Sequence, residues 1–435
     1  MKNKKNIAQT IHYLQGRLDG IFMSFHLQKK YLLGTAVVLT TTLFPIYLNY
    51  VENTIETKTL LVWLLPLTIL LLSLTKALWD YKQKKYHFYS ITNPWQKNEL
   101  LHSLALSKQM QENGYKIEAF FNGEKNEYYV ASDLINHQLQ NGKIYTFHTL
   151  KKQFRIGQEL SDMMPSILNE IFMNNKSTLF NGTLLRLAQE LYLDRNSVYL
   201  QKTHYFDSQC TNEIVYKKYR SANQMFFVFD GAELFVKKEE NSSILFDLDE
   251  SPCSNQIGVS TLAITNDNYV VIGRQSITSK ANSGRYAPSG SGSSEFTDIQ
   301  GCTTLNEVLI KGMERELIEE LNFPTNTSLH TILLGYVRLL ERGGKPDFFG
   351  ITYIDASKKE LENLEIRLME RDLQDKFEFL PFDDIENLPV VLREFCKTYI
   401  CEKRISIQVY LLTLFLEELQ KRSQLTDYYF RLKNK

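Results

Sequence analysis

Two apolar runs open the chain. Residues 31–50 carry no charge and are dominated by Leu, Val, Thr and aromatic side chains. At about 1.5 Å per residue, that length crosses a hydrocarbon layer of ~30 Å. A second run, residues 59–75, ends at Lys76 and Trp79, and its Leu-rich middle lacks the 3.6-residue polar alternation of a surface helix. The pattern predicts a two-helix transmembrane hairpin over residues 31–81, after an amino-terminal segment 1–30. The loop at 51–58 holds Glu52 and Glu56 against Lys58. Lysines crowd the outer flanks, with Lys2, Lys4, Lys5, Lys29 and Lys30 before the hairpin and Lys76, Lys82, Lys84 and Lys85 after it. Positive charge favours the cytoplasmic side, so both termini are expected there and only the acidic loop outside.

Residues 82–255 alternate between helical and strand-like spacing with no Pro, Gly or Ser-rich linker. Helical spacing covers 98–113, 167–173 and, in the same vein, 181–193. Residues 115–121 and 128–131 read as strands around Gly123-Glu124-Lys125-Asn126, and 225–229 and 232–237 as a hairpin about Asp230-Gly231. The segment carries no chemical motif. It reads as a spacer, an oligomerising unit or an elaboration of the domain that follows.

From residue 256 onward the pattern sharpens. Residues 258–265 and 269–274 form an apolar strand pair around Asn266-Asp267-Asn268, and 331–340 and 347–355 another around Gly343-Gly344. Between them, Thr304 followed by Glu307 is a capping box, and Leu309, Met313, Leu317 and Leu321 recur every fourth residue, which predicts an amphipathic helix. On its other face Glu316, Glu319 and Glu320 project within about 100 degrees of one another. Three close carboxylates repel unless a hard cation neutralises them, and oxygen-only ligands suit Mg²⁺ or Mn²⁺. Arg315, one turn before Glu319, is placed to hold a carboxylate.

The stretch from Gly301 to Phe323 resembles the Nudix box: Gly, five residues, Glu, seven residues, Arg-Glu, an aliphatic, any residue, Glu-Glu, any residue, Gly, and an aliphatic or similar residue. Gly301, Glu307, Arg315, Glu316, Leu317, Glu319, Glu320 and Phe323 keep that spacing. Asn322 stands where the family has Gly; it ends the helix, and a left-handed backbone is expected there, which Asn tolerates next best. Pro288-Ser-Gly-Ser-Gly292 and residues 377–385 resemble flanking parts of the same fold. The fold class expected is α+β: the hairpin, an α+β extension over 82–255, and an α/β/α Nudix domain over 256–435. The resemblance implies that Glu316, Glu319 and Glu320 bind Mg²⁺ (or Mn²⁺), that one of them helps activate water beside Arg315, and that Arg274 or Arg338 meets phosphate of a nucleoside diphosphate ligand. It leaves open whether the chain is an enzyme.

Composition removes some alternatives. Lys+Arg and Asp+Glu are 50 each, a formal net charge of +0, so no global field draws the chain onto duplex nucleic acid. Five scattered cysteines without a CxxC argue against a disulfide framework or zinc site. Mean hydropathy is -0.28, so the apolar character is local. A two-helix hairpin joined to a Nudix domain resembles the two-transmembrane Nudix effectors of bacterial CBASS antiphage systems. That resemblance implies a homo-oligomer in the bacterial inner membrane, a cyclic oligonucleotide ligand made by a partner nucleotidyltransferase, and damage to the lipid bilayer. The alternative is a membrane-tethered Nudix hydrolase cleaving a nucleoside diphosphate derivative.

Overall fold

The computed structural model describes residues 88–433 apart from 93, 124–125, 175–180, 222–226, 240–241, 276–283, 323–326 and 365–373. The expected transmembrane hairpin lies outside the described residues. Among those described, no helix is long and apolar enough to cross a membrane.

The fold is mixed α+β. Its largest sheet among the described residues has nine strands: β1 (Tyr115–Phe121), β2 (Asn126–Ser132), β3 (Gly258–Thr265), β4 (Tyr269–Gln275), β5 (Tyr286–Pro288), β6 (Gly290–Ser293), β7 (Leu329–Leu339), β8 (Lys345–Ile354) and β9 (Gln374–Pro381). The order is β5-β4-β3-β8-β7-β2-β1, with β6 also on β3 and β9 on β4. At the centre β3 and β8 run parallel, from Gly258 opposite Asp347 to Thr265 opposite Ile354. The expected pairs β3–β4 and β7–β8 are both antiparallel.

Alternation along the strands explains the layering. Helix α1 (Asp133–Gln140) lies against β7, where Gln140 Nε2 donates to the Leu334 carbonyl, and on β3 Val259 and Ala263 pack with helix α2 (Leu305–Leu321). Leu262 and Ile264 point the other way, into a cluster with α3 (Leu388–Ile400), α4 (Ile407–Lys421) and α5 (Leu425–Lys433). A strand that is apolar on both faces must be covered on both, and the helices do this.

The middle of the chain is part of this sheet. β1 and β2 form the expected hairpin, and β2 pairs with β7 through Ala131, Val130 and Tyr129 opposite Val337, Arg338 and Leu339. A smaller sheet of Thr146–Thr149, Ser197–His204 and Thr183–Leu187 reaches across as well, bridging Arg186 to Gln256 and Leu184 to Glu295. Pairing therefore runs straight across the boundary expected at 255–256.

Three local expectations in this region fail for identifiable reasons. Residues 181–193 contain a strand, Thr183–Leu187, because the apolar run finds an antiparallel partner in Ser197–His204. Residues 98–113 are two helices, Pro94–His102 and Lys108–Glu112, the second started by the Ser107 side chain accepting from Met110 N–H. Asp230-Gly231 is not a hairpin turn. Asp230 caps a 3₁₀ turn, Gly231–Leu234, by accepting from Ala232 N–H, and Phe227–Asp230 pairs with Lys217–Ser221 instead. Gly231 is needed because any side chain there would strike the Ile214 carbonyl. None of the five cysteines is in a disulfide, and Cys210, Cys253 and Cys396 are buried.

Candidate functional site

Helix α2 begins as its sequence dictates. Thr304 Oγ1 accepts from Glu307 N–H at 3.2 Å, and Glu307 Oε2 accepts from Thr304 N–H at 3.1 Å and Thr303 N–H at 2.7 Å. Those backbone donors hold the Glu307 carboxyl below the usual carboxylate range. Leu305, Leu309, Met313, Leu317 and Leu321 are buried along one face. The helix ends at Asn322, φ 55° and ψ 37°, in the expected left-handed conformation.

The polar face meets strand β6. Glu316 Oε1 accepts from Ser293 N–H at 3.3 Å, and Glu320 Oε1 from Ser291 N–H at 3.1 Å. Two glycines permit this approach. A Cβ on Gly290 would lie 2.9 Å from Leu317 Cα, and one on Gly292 would overlap the Glu316 carboxyl. The i, i+2 spacing of the glycines matches one face of a strand, turned toward the helix. Glu319 is the outermost of the three, with its side chain 41% exposed.

Arg315 is the hub. Its Nη1 donates to Glu316 Oε1 at 2.9 Å and Glu319 Oε2 at 3.4 Å, and its Nη2 to the Ser293 carbonyl at 2.8 Å. Its Nε and Nη2 also grip Asp298, at 3.1 and 3.2 Å. Burial alone would lower the guanidinium pKa, but Glu316, Asp298 and Glu319 outweigh it and raise it. Sequence reasoning missed Asp298, which sits in the 3₁₀ turn Phe296–Ile299. A guanidinium nitrogen thus bridges Glu316 and Glu319, and among the described residues no three His, Cys, Asp or Glu side chains are grouped closely enough to hold a metal ion.

The two candidate phosphate ligands lie elsewhere. Arg338 is 1% exposed; it donates to Glu190 Oε2 and the Phe246 carbonyl through Nη1, at 2.9 and 2.8 Å, and to the Gly344 carbonyl through Nε. Burial raises the Glu190 carboxyl pKa, with Arg338 and Tyr336 opposing it. This is an ion pair of the core, closed to any ligand. Arg274 is half-buried and stands opposite Tyr286 on the sheet. Tyr286 packs on Phe395 and Tyr399 of α3, so Arg274 lies on the face away from the glutamates. Its buried Nε has no hydrogen-bond acceptor among the described residues.

No protein-family model matches the chain, and no curated protein matches it. Among solved structures it is similar to a MutT protein from Methanosarcina mazei Go1, at 14% identity over 39% of this chain and 95% of that one, with a TM-score of 0.25. It is also similar to the DR0079 protein of Deinococcus radiodurans, at 14% identity over 40% and 99%, TM-score 0.23. A third is Tm1382, provisionally named a Nudix hydrolase, at 13% identity over 52% and 87%, TM-score 0.20. At these values the chemistry of the site rests on its own residues.

Proposed function

We propose that residues 256–433 form a Nudix-type module that takes a phosphate-linked nucleotide together with a divalent cation. In the intact chain, this module would act as the sensor of a membrane effector of the CBASS type. The observation that carries the first part is the seating of Glu316 and Glu320 on the Ser293 and Ser291 N–H groups, which points a set of oxygen donors off one helix end beside Glu319. Such a set, cradled where glycine alone fits, suits Mg²⁺ or Mn²⁺ and no softer metal.

Glu316, Glu319 and Glu320 would hold the cation, which supplies charge neutralisation for phosphate and a more acidic bound water. Within the chain itself, Arg315 fixes Glu316 and restrains Glu319, and the backbone donors of β6 fix one oxygen each of Glu316 and Glu320.

The effector role is supported by the two apolar runs at 31–50 and 59–75 joined to this module. A ligand acts on such an assembly only through its differential affinity for one arrangement of the chains. Purified full chain in dye-loaded liposomes, given cyclic di- and trinucleotides with Mg²⁺, is expected to release dye. Removing residues 1–81 should abolish release and keep binding. No release with any of these ligands sinks the effector role, and no uptake of cation sinks the module.

The intact carboxylate set also favours a second reading, a tethered hydrolase. In that case the fragment lacking 1–81 turns over a nucleoside diphosphate derivative at the full rate, and Glu320→Gln abolishes turnover.

A further inference from the structure

Asp298 lies outside the stretch from Gly301 to Phe323 and nothing in the spacing of that stretch points to it. Its carboxylate is nonetheless buried, with the side chain 3% exposed, and it meets Arg315 edge to edge through two hydrogen bonds of 3.1 and 3.2 Å. A fork-to-fork contact of this kind fixes the plane of the guanidinium as well as its position. The aspartate is itself held, because its Oδ2 accepts from Glu295 N–H at 2.8 Å and completes a reciprocal cap on the turn Phe296–Ile299. Glu307, which shares the helix with Arg315, is fully engaged at the helix start and makes its contacts with Thr303 and Thr304.

We infer that Asp298 is a positioning residue for the glutamate site: it anchors Arg315 so that the guanidinium is shared, leaving Glu316 and Glu319 available to a cation. The inference rests on the cation-binding reading of those glutamates. Its physical core is competition. Arg315 faces three carboxylates, and one guanidinium charge divided among them binds each less firmly. Without the Asp298 charge, Arg315 is drawn onto Glu316 and Glu319, where it opposes any incoming cation. Negative charge near the site also falls, so both effects weaken cation binding.

The test uses the full chain in detergent micelles, with Mn²⁺ as the probe and free Mn²⁺ counted by electron paramagnetic resonance. Asp298→Asn, which keeps shape and removes charge, should weaken Mn²⁺ binding by about tenfold, the lower end of what loss of an outer-shell partner does. Glu295→Ala loosens the same 3₁₀ turn without touching Arg315 and should leave Mn²⁺ affinity within about twofold of the parent chain. If the two variants weaken binding alike, or Asp298→Asn does not weaken it, the positioning role is overturned.

A melting cycle in EDTA covers the remaining outcome. Asp298→Asn combined with Arg315→Gln should melt close to the worse single variant, because the two changes remove one contact. Fully additive shifts overturn the anchor. Should the parent chain take up no Mn²⁺, the cation reading of the glutamates fails, and this cycle still decides whether Asp298 holds Arg315.

Discussion

Glu320 Oε1 and the Ser291 N–H meet at 3.1 Å, joining the last turn of α2 to the middle of β6. The contact places a buried carboxylate where a strand would otherwise present a bare backbone donor. It also makes the glycines on either side of Ser291 structural requirements. Gly290→Ala is expected to push α2 off the strand, because the new Cβ would stand 2.9 Å from Leu317 Cα in the helix backbone. Overpacking of this kind costs about 1–3 kcal/mol. Chemical denaturation should show that loss, and Mn²⁺ affinity should fall with it. An alanine variant as stable as the parent would mean that helix and strand are not seated this closely.

Arg338 and Glu190 carry a different expectation. Removing one partner of a buried ion pair leaves the other charge unneutralised, at a cost of about 3–5 kcal/mol. Arg338→Met should therefore destabilise strongly, and nucleotide affinity measured on whatever fraction folds should be unchanged. A variant of parental stability that fails to bind nucleotide would return Arg338 to the ligand site.

Glu307 predicts a pH dependence. Its folded carboxyl pKa is depressed by hydrogen bonds from the Thr303 and Thr304 N–H groups, so its stabilisation is present above the ordinary glutamate pKa and is lost as pH falls through the folded value. Glu307→Ala should lower the melting temperature at neutral pH. The gap from the parent chain should close progressively as the buffer is taken below the usual carboxylate range. A gap that persists in acid would show that the side chain acts by something other than its charge.

Asn322 tests the helix end. With φ at 55°, glycine is the residue best suited to the position, and a side chain branched at Cβ is the worst. Asn322→Gly should be neutral or stabilising by up to about 1 kcal/mol, and Asn322→Val should cost about 1–2 kcal/mol in thermal unfolding.

Helix α2 was legible from sequence because every level agreed: cap, stripe, acidic face and left-handed end. The pairs β3–β4 and β7–β8 were legible because short turns made the partners neighbours. Other parts depend on partners distant in the chain. Arg338 in an apolar strand reads as a ligand contact until Glu190, 148 residues away, is seen beside it. Asp298 is 17 residues from Arg315, in a turn with no periodicity to mark it. In the middle region, Thr183–Leu187 is too short and apolar for its spacing to separate strand from helix, and its antiparallel neighbour decides.

The β2–β7 seam has a practical consequence for expressing this protein in pieces. A fragment cut at residue 256 would strip β7 of its neighbour at Val337, Arg338 and Leu339 and deprive Arg338 of its counter-ion. The bare margin would recruit other polypeptides, as unpaired strand edges do, and aggregates would be the main product. A workable truncation has to start upstream of Tyr115.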